Sequence, residues 1–167
     1  HISGVINDET KRLRFQVEKV LQMSMFERQK TMMKLNTVDV NGIITSVMST
    51  FKLKVEKYGG TIEADLEAED AWVKVDEMHF TNVIFNLLDN AVKFSSDNSS
   101  ITLETTVNHG KVFVSVKDHG SGIPKESLSR IWDRFYKIDA SRGKDRKGTG
   151  LGLAIVKEII NAHKQNI

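Results

Sequence analysis

The chain has 167 residues, 40% hydrophobic and 28% charged, with a formal net charge of +2 and no cysteine. That balance describes a globular domain with an appendage rather than a disordered or fibrous chain. It excludes disulfides and thiolate metal sites, fits a reducing compartment, and offers nucleic acid no basic field. No apolar run approaches the ~20 residues that cross a bilayer, and the densest, Val83–Leu88, ends at Asp89 and Asn90. His1-Ile2-Ser3-Gly4 lacks the basic segment and apolar core of a signal peptide. A cytoplasmic setting without membrane contact is the expectation for this stretch.

Residues 5–35 read as one long helix. Ile6, Leu13, Val17, Val20 and Ser24 recur near heptad spacing, while Lys11, Arg12, Glu18, Lys19, Glu27 and Arg28 fill the other faces. One narrow apolar stripe does not stabilise a lone helix, so a partner helix is expected. The alternative is a helix laid flat on its own domain. Met23, Met25, Met32 and Met33 are ordinary gap-filling residues.

After Lys34 the period changes. Leu35–Val40 alternates like a strand, and Asn41 is a candidate cap for a helix over 42–58 that Gly59-Gly60 ends. Thr61–Leu66 and Ala71–Val75 alternate and predict a hairpin joined by an acidic turn. Asp76 is a candidate cap for a helix to Phe94, and a polar loop, Ser95–Ser100, follows. Ile101–Val107 and Val112–Lys117 predict a second hairpin around Asn108-His109-Gly110. A Gly-rich turn at His119–Pro124, a short helix at 126–135, a charged loop at 137–147 and a last helix at 149–163 complete the chain. This order implies an α+β fold, a two-layer sandwich of a mixed sheet covered by helices on one face, preceded by a helical arm.

The helix 76–94 carries an unusual polar stripe. At ~100° per residue, His79, Asn82, Asn86, Asn90 and Lys93 share one arc of an otherwise apolar circumference. Buried amides without partners cost roughly 1–3 kcal/mol each, so a polar ligand is expected there; a solvated face is the alternative. By strand parity Asp118 continues the inward row of Val112, Val114 and Val116, and His119-Gly120-Ser121-Gly122-Ile123-Pro124 follows it. A planar ligand with an exocyclic amine, such as adenine, would satisfy that carboxylate; an Asx-turn ending the strand is the rival reading. Gly148-Thr149-Gly150-Leu151-Gly152-Leu153 opens an apolar helix, and its free N–H groups suit phosphate. No Gly-Lys-Ser/Thr of a Walker A loop is present, and no strand precedes the glycines as in a Rossmann turn.

Together these segments resemble the ATP-binding domain of bacterial sensor histidine kinases, within the larger group shared with gyrase B, Hsp90 and MutL. Asn86-Leu-Leu-Asp-Asn-Ala-Val-Lys-Phe-Ser95 is similar to the N box and Asp118-His-Gly-Ser-Gly-Ile-Pro124 to the G1 box. Ile131-Trp-Asp-Arg-Phe-Tyr136 is similar to the F box and Gly148–Leu153 to the G2 box. The match covers 35–163, four motifs in register. The arm, with Asn7-Asp8-Glu9 and Arg12-Leu13, resembles the second helix of the family's dimerisation hairpin. Residues 1–34 are therefore expected to belong to that hairpin and 35–167 to the ATP-binding catalytic domain.

The resemblance implies Mg2+ and ATP as cofactors, with Asn90 on the metal and Asn86, Lys93 and Arg142 in catalytic roles at the phosphates. It implies Phe94 near the nucleoside, Asp118 on the adenine amine, and Gly120, Gly122 and Ile123 around the ring. Tyr136, Lys137 and the loop to Lys147 would close over the nucleotide, with Gly148, Thr149, Gly150, Leu151, Gly152 and Leu153 at the phosphates. For Lys144, Arg146 and Lys147 a solvated charge run is the preferred reading. Hydrolysing relatives carry Glu at the position of Asn86; an amide is not a base at neutral pH, which favours phosphoryl transfer over hydrolysis. The implied partners are a response regulator receiver domain and a second copy of a membrane-anchored parent, joined through the arm. None of His1, His79, His109, His119 and His163 is followed by the acidic residue and Pro of the family's acceptor histidine. That histidine, and the final hairpin after the last helix, are expected to lie outside this stretch, so the chain alone is not expected to phosphorylate itself. An ATPase or serine kinase of the same superfold, or a degenerate docking module, are the alternatives.

Overall fold

The computed structural model describes residues 2–29, 33–138 and 150–167, with side chains 2, 3, 22 and 25–29 left aside. The chain divides into two compact units, residues 33–123 and residues 1–32 with 124–167.

The central unit begins with β1 (Leu35–Asp39), α2 (Val40–Lys57), β2 (Thr61–Leu66) and β3 (Trp72–Asp76). It ends with α3 (Glu77–Phe94), β4 (Ser100–Asn108) and β5 (Lys111–Lys117). Asp39 rather than Asn41 caps α2, accepting from the Asn41 N–H at 3.1 Å. Asn41 is needed elsewhere: its Nδ2 donates to the Ala68 carbonyl at 2.7 Å and its Oδ1 accepts from the buried Thr105 hydroxyl at 2.8 Å. Asp76 caps α3 as expected, accepting from the His79 N–H at 3.1 Å, and its second oxygen takes the Lys34 N–H at 3.0 Å.

The β4–β5 hairpin forms as expected, antiparallel from Thr102↔Lys117 to Asn108↔Lys111. His109 and Gly110 supply the positive φ of its turn, 52° and 74°. The expected β2–β3 hairpin does not form. β2 pairs in parallel with β4, while β3 pairs antiparallel with β1, Leu35↔Asp76 to Asp39↔Trp72. The connection between β2 and β3 is not a free turn. Ala68 and Ala71 are buried, the Ala68 N–H donates to Thr105, and the Ala71 carbonyl accepts from Val40. These bonds carry the chain away from β2 and onto β1. The result is a three-stranded mixed sheet, β2-β4-β5, and a separate two-stranded sheet. Ile101 and Leu103 of β4 join Ile43, Ile44, Val47 and Phe51 of α2 and Ile84 and Leu88 of α3 in one core. Val112, Val114 and Val116 pack against it.

In the second unit α1 runs from Ile2 to Gln29 and α4 from Gly152 to Ala162, and the two are in contact. Lys19 and Met23 are buried, one turn apart, whereas Ile6, Leu13, Val17 and Val20 stay about half exposed or more. The heptad stripe therefore lies outside the buried face. The expected helix at 126–135 is only a 3-10 turn, Lys125–Ser127, followed by irregular turns. Its N-cap, Pro124, offers no side-chain hydrogen bond to organise a longer first turn. The last helix starts at Gly152, later than the expected 149. No described helix is long and apolar enough to cross a membrane.

Candidate functional site

The polar arc of α3 is not a solvated face. Asn86 is 2% exposed and His79 is buried, while Asn82, Asn90 and Lys93 are half-buried. The Asn86 Nδ2 donates to the Asn82 carbonyl one turn back, at 2.7 Å. That bond satisfies part of the amide and fixes its orientation. Lys93 reaches back to Asp89, Nζ to Oδ2 at 2.7 Å. Asn90 lies between these two anchored groups in the helical sequence, one turn beyond Asn86. An amide pair and an ammonium thus run along one helix edge.

The C-terminal end of that helix is tied to the turn after β5. Ser95 and Gly120 form an antiparallel bridge. A Cβ on Gly120 would strike the Phe94 carbonyl oxygen and stand 2.9 Å from its carbon, so only glycine lets these backbones meet. His119 holds the other side, its Nδ1 donating to the Ser100 carbonyl at 2.9 Å. Asp118 is exposed, not inward as strand parity predicts, because β5 ends at Lys117 and the chain then turns. Its Oδ1 accepts from the Gly120 N–H at 2.9 Å, the Asx-turn of the rival reading. That bond occupies one carboxylate oxygen and orients the other. Gly122 has φ of 74° and open space where a Cβ would stand.

Within the second unit, the Gly150 carbonyl accepts from the Phe135 N–H at 2.8 Å. A Cβ on Gly150 would lie 2.7 Å from the Phe135 Cα, so the glycine segment and the 131–136 segment are built against each other. α4 begins with no side-chain cap, which leaves the N–H groups of its first turn to other partners. Leu151 is 2% exposed, so its side chain serves packing.

A family model described as histidine kinase-, DNA gyrase B-, and HSP90-like ATPase matches residues 75–167, more than half of the chain. The chain belongs to this family. Sensor protein RprX of Bacteroides fragilis is 55% identical over 169 residues, covering 100% of this chain and 33% of the relative. Full-length ShkA, solved in complex with AMPPNP, matches with a TM-score of 0.80 at 25% identity, covering 95% of this chain and 33% of that one. Histidine kinase ThkA, solved in complex with the response regulator protein TrrA, matches with a TM-score of 0.67 at 26% identity, covering 80% and 39%. The chain thus spans about a third of the length of RprX.

Two groups of expected histidine kinase site residues occur as local clusters. Asn86, Asn90, Lys93 and Phe94 share α3, whose end meets Asp118–Gly120. Gly150 and Tyr136 belong to the other unit, where the Tyr136 hydroxyl donates to Ser127 at 3.0 Å and Arg130 stacks over its ring at 4.6 Å. Lys137 is half-buried, Ile123 is exposed, and Gly152 and Leu153 are half-buried in the first turn of α4. Arg142, Gly148 and Thr149 lie outside the described residues, as does most of the charged loop. Sequence reasoning passed over Asp89, although its four-residue spacing to Lys93 is an ion-pair signal. It also gave no role to Ser95, Ser100 and His119, whose contacts depend on the sheet.

Proposed function

We propose that this chain binds magnesium–ATP and, within a longer sensor kinase, donates the γ-phosphate to a histidine for relay to a response regulator aspartate. The observation that carries this reading is the amide edge of α3, with Asn86 buried, Asn90 half-buried and Lys93 beside them. A neutral, hard amide oxygen suits magnesium, which keeps several waters and takes its other ligands from phosphates. Asn90 would hold it. When bound, magnesium offsets the charge of the phosphate oxygens. Asn86 and Lys93 would bind and orient those oxygens, and Arg142 would add a cation. The free oxygen of Asp118 would accept from the adenine amine, with Gly120, Gly122, Ile123 and Phe94 around the ring. Within the other unit, the first turn of α4, which has no side-chain cap, would offer backbone N–H groups to a phosphate.

Asn86 supports transfer over hydrolysis. An amide whose nitrogen already donates to a carbonyl does not take a proton from water. The ThkA complex with a response regulator supports a receiver domain as partner. The exposed stripe of α1 supports pairing with a second copy, with residues 1–34 as part of a dimerisation hairpin and 35–167 as the catalytic domain. A cytoplasmic position of this domain goes with its ATP supply and its receiver partner.

A nucleotide titration of the chain tests the reading. Magnesium-dependent ATP binding is expected, and Asp118→Ala should weaken ATP about tenfold while narrowing its advantage over GTP. No binding at all would leave a docking module. A labelled phosphate appearing on histidine when a phosphoacceptor helix is supplied marks the kinase, whereas steady release of free phosphate marks an ATPase. For the stripe, Leu13→Glu with Val17→Glu should convert a dimer to a monomer in sedimentation velocity. An unchanged sedimentation coefficient would remove the stripe from the interface.

A further inference from the structure

Asp89, the acidic half of the ion pair on α3, has no part in the reading above. Asp89 and Lys93 stand four residues apart, acid first, the order that suits a helix pair. Their side chains are 14% and 22% exposed at 2.7 Å, so water and salt screen them less than a surface pair. With ~100° per residue, Lys93 falls within the arc of Asn82, Asn86 and Asn90, and Asp89 borders it. Those three amides are neutral. The formal charge of this helix face is therefore zero, where a site for a polyphosphate gains from a positive one. A phosphate that approaches Lys93 meets an ammonium already shared with a carboxylate that repels it.

We propose that Asp89 sets the nucleotide affinity of this domain, holding the Lys93 ammonium at the amide edge while withholding part of its charge from the phosphates. It is a positioning residue, acting through Lys93. The effect keeps ATP and ADP exchangeable instead of trapping either one. The inference rests on the α3 face being the phosphate site.

Asp89→Asn keeps the shape and an acceptor oxygen but removes the charge. Isothermal titration of the chain with magnesium–ATP should show the Kd falling about tenfold, and ADP should follow. Adenosine, which has no phosphate, should bind as before, and added salt should narrow the gain. In a Lys93→Ala background most of the gain should vanish, because the coupling runs through the ammonium. Asp89→Ser serves the same test if the Asn variant melts early. Equal or weaker ATP binding by the charge-free variants overturns the proposal. So does a full gain in the Lys93→Ala background, which would assign direct repulsion instead. A parent chain that binds no ATP would sink the site itself, a result distinct from either.

Discussion

Asn90→Ala should lower the magnesium-dependent affinity for ATP by about a hundredfold, near the upper end for the loss of a group at a metal site. The same substitution should leave the fold almost unchanged. Asn90 is half-buried, unlike Asn86, which is 2% exposed and bonded to the Asn82 carbonyl. Alanine also favours a helix interior more than asparagine does, by a few tenths of a kcal/mol. Binding and stability should therefore separate: titration with and without a chelator reads the first, and a thermal melt reads the second. If binding with magnesium survives the substitution, the metal is held elsewhere. If the melt falls by many degrees, Asn90 is a packing residue.

Gly120→Ala should lower the melting temperature by about 5 °C, from an overpacking cost of roughly 1–3 kcal/mol. The added methyl meets backbone, the Phe94 carbonyl, and backbone at the end of a helix cannot rotate aside. The Ser95 bridge should open with it, and with that the anchorage of Asp118 and the adenine contact proposed for it. Gly122→Ala is the informative comparison. Its Cβ would enter open space, so only the cost of a positive φ remains, roughly 1–2 kcal/mol for an ordinary residue. Both glycines belong to one motif, and they should differ in what a side chain breaks. Gly120→Ala should lose most of its nucleotide binding along with stability, because the bridge opens, while Gly122→Ala, beside the ring but with the bridge intact, should lose less of both. Equal nucleotide losses in the two variants would show that the turn responds as a unit and that the Phe94 contact decides nothing.

Much of the central unit was legible because its signals are local. Asp76 caps a helix whose apolar residues repeat at helical spacing, and Asn108-His109-Gly110 makes the tight turn that joins β4 and β5. The amide stripe of α3 follows from helical geometry alone. Its burial does not, since periodicity locates a face but says nothing of what covers it. The heptad residues of α1 illustrate the same limit: the stripe is as spaced, yet among the described side chains of α1 the buried ones are Lys19 and Met23.

Strand partners were beyond local reading. Alternation in Thr61–Leu66 and Trp72–Asp76 marks two strands, and proximity in sequence favours pairing them as a hairpin. The pairing that forms is decided by the bonds of Asn41, Ala68 and Thr105, residues that meet only after α2 and β4 have docked. Asp118 turned outward for a related reason: parity holds only while the strand continues. The family boxes, the cap of α3 and the spacing of its amides were thus written in the sequence, because each rests on residues within one or two turns of one another. The division into two sheets, the glycine contact that joins Gly120 to Phe94, and the partial burial of the Asp89–Lys93 pair came only from the tertiary structure, because each depends on surfaces brought together from distant parts of the chain.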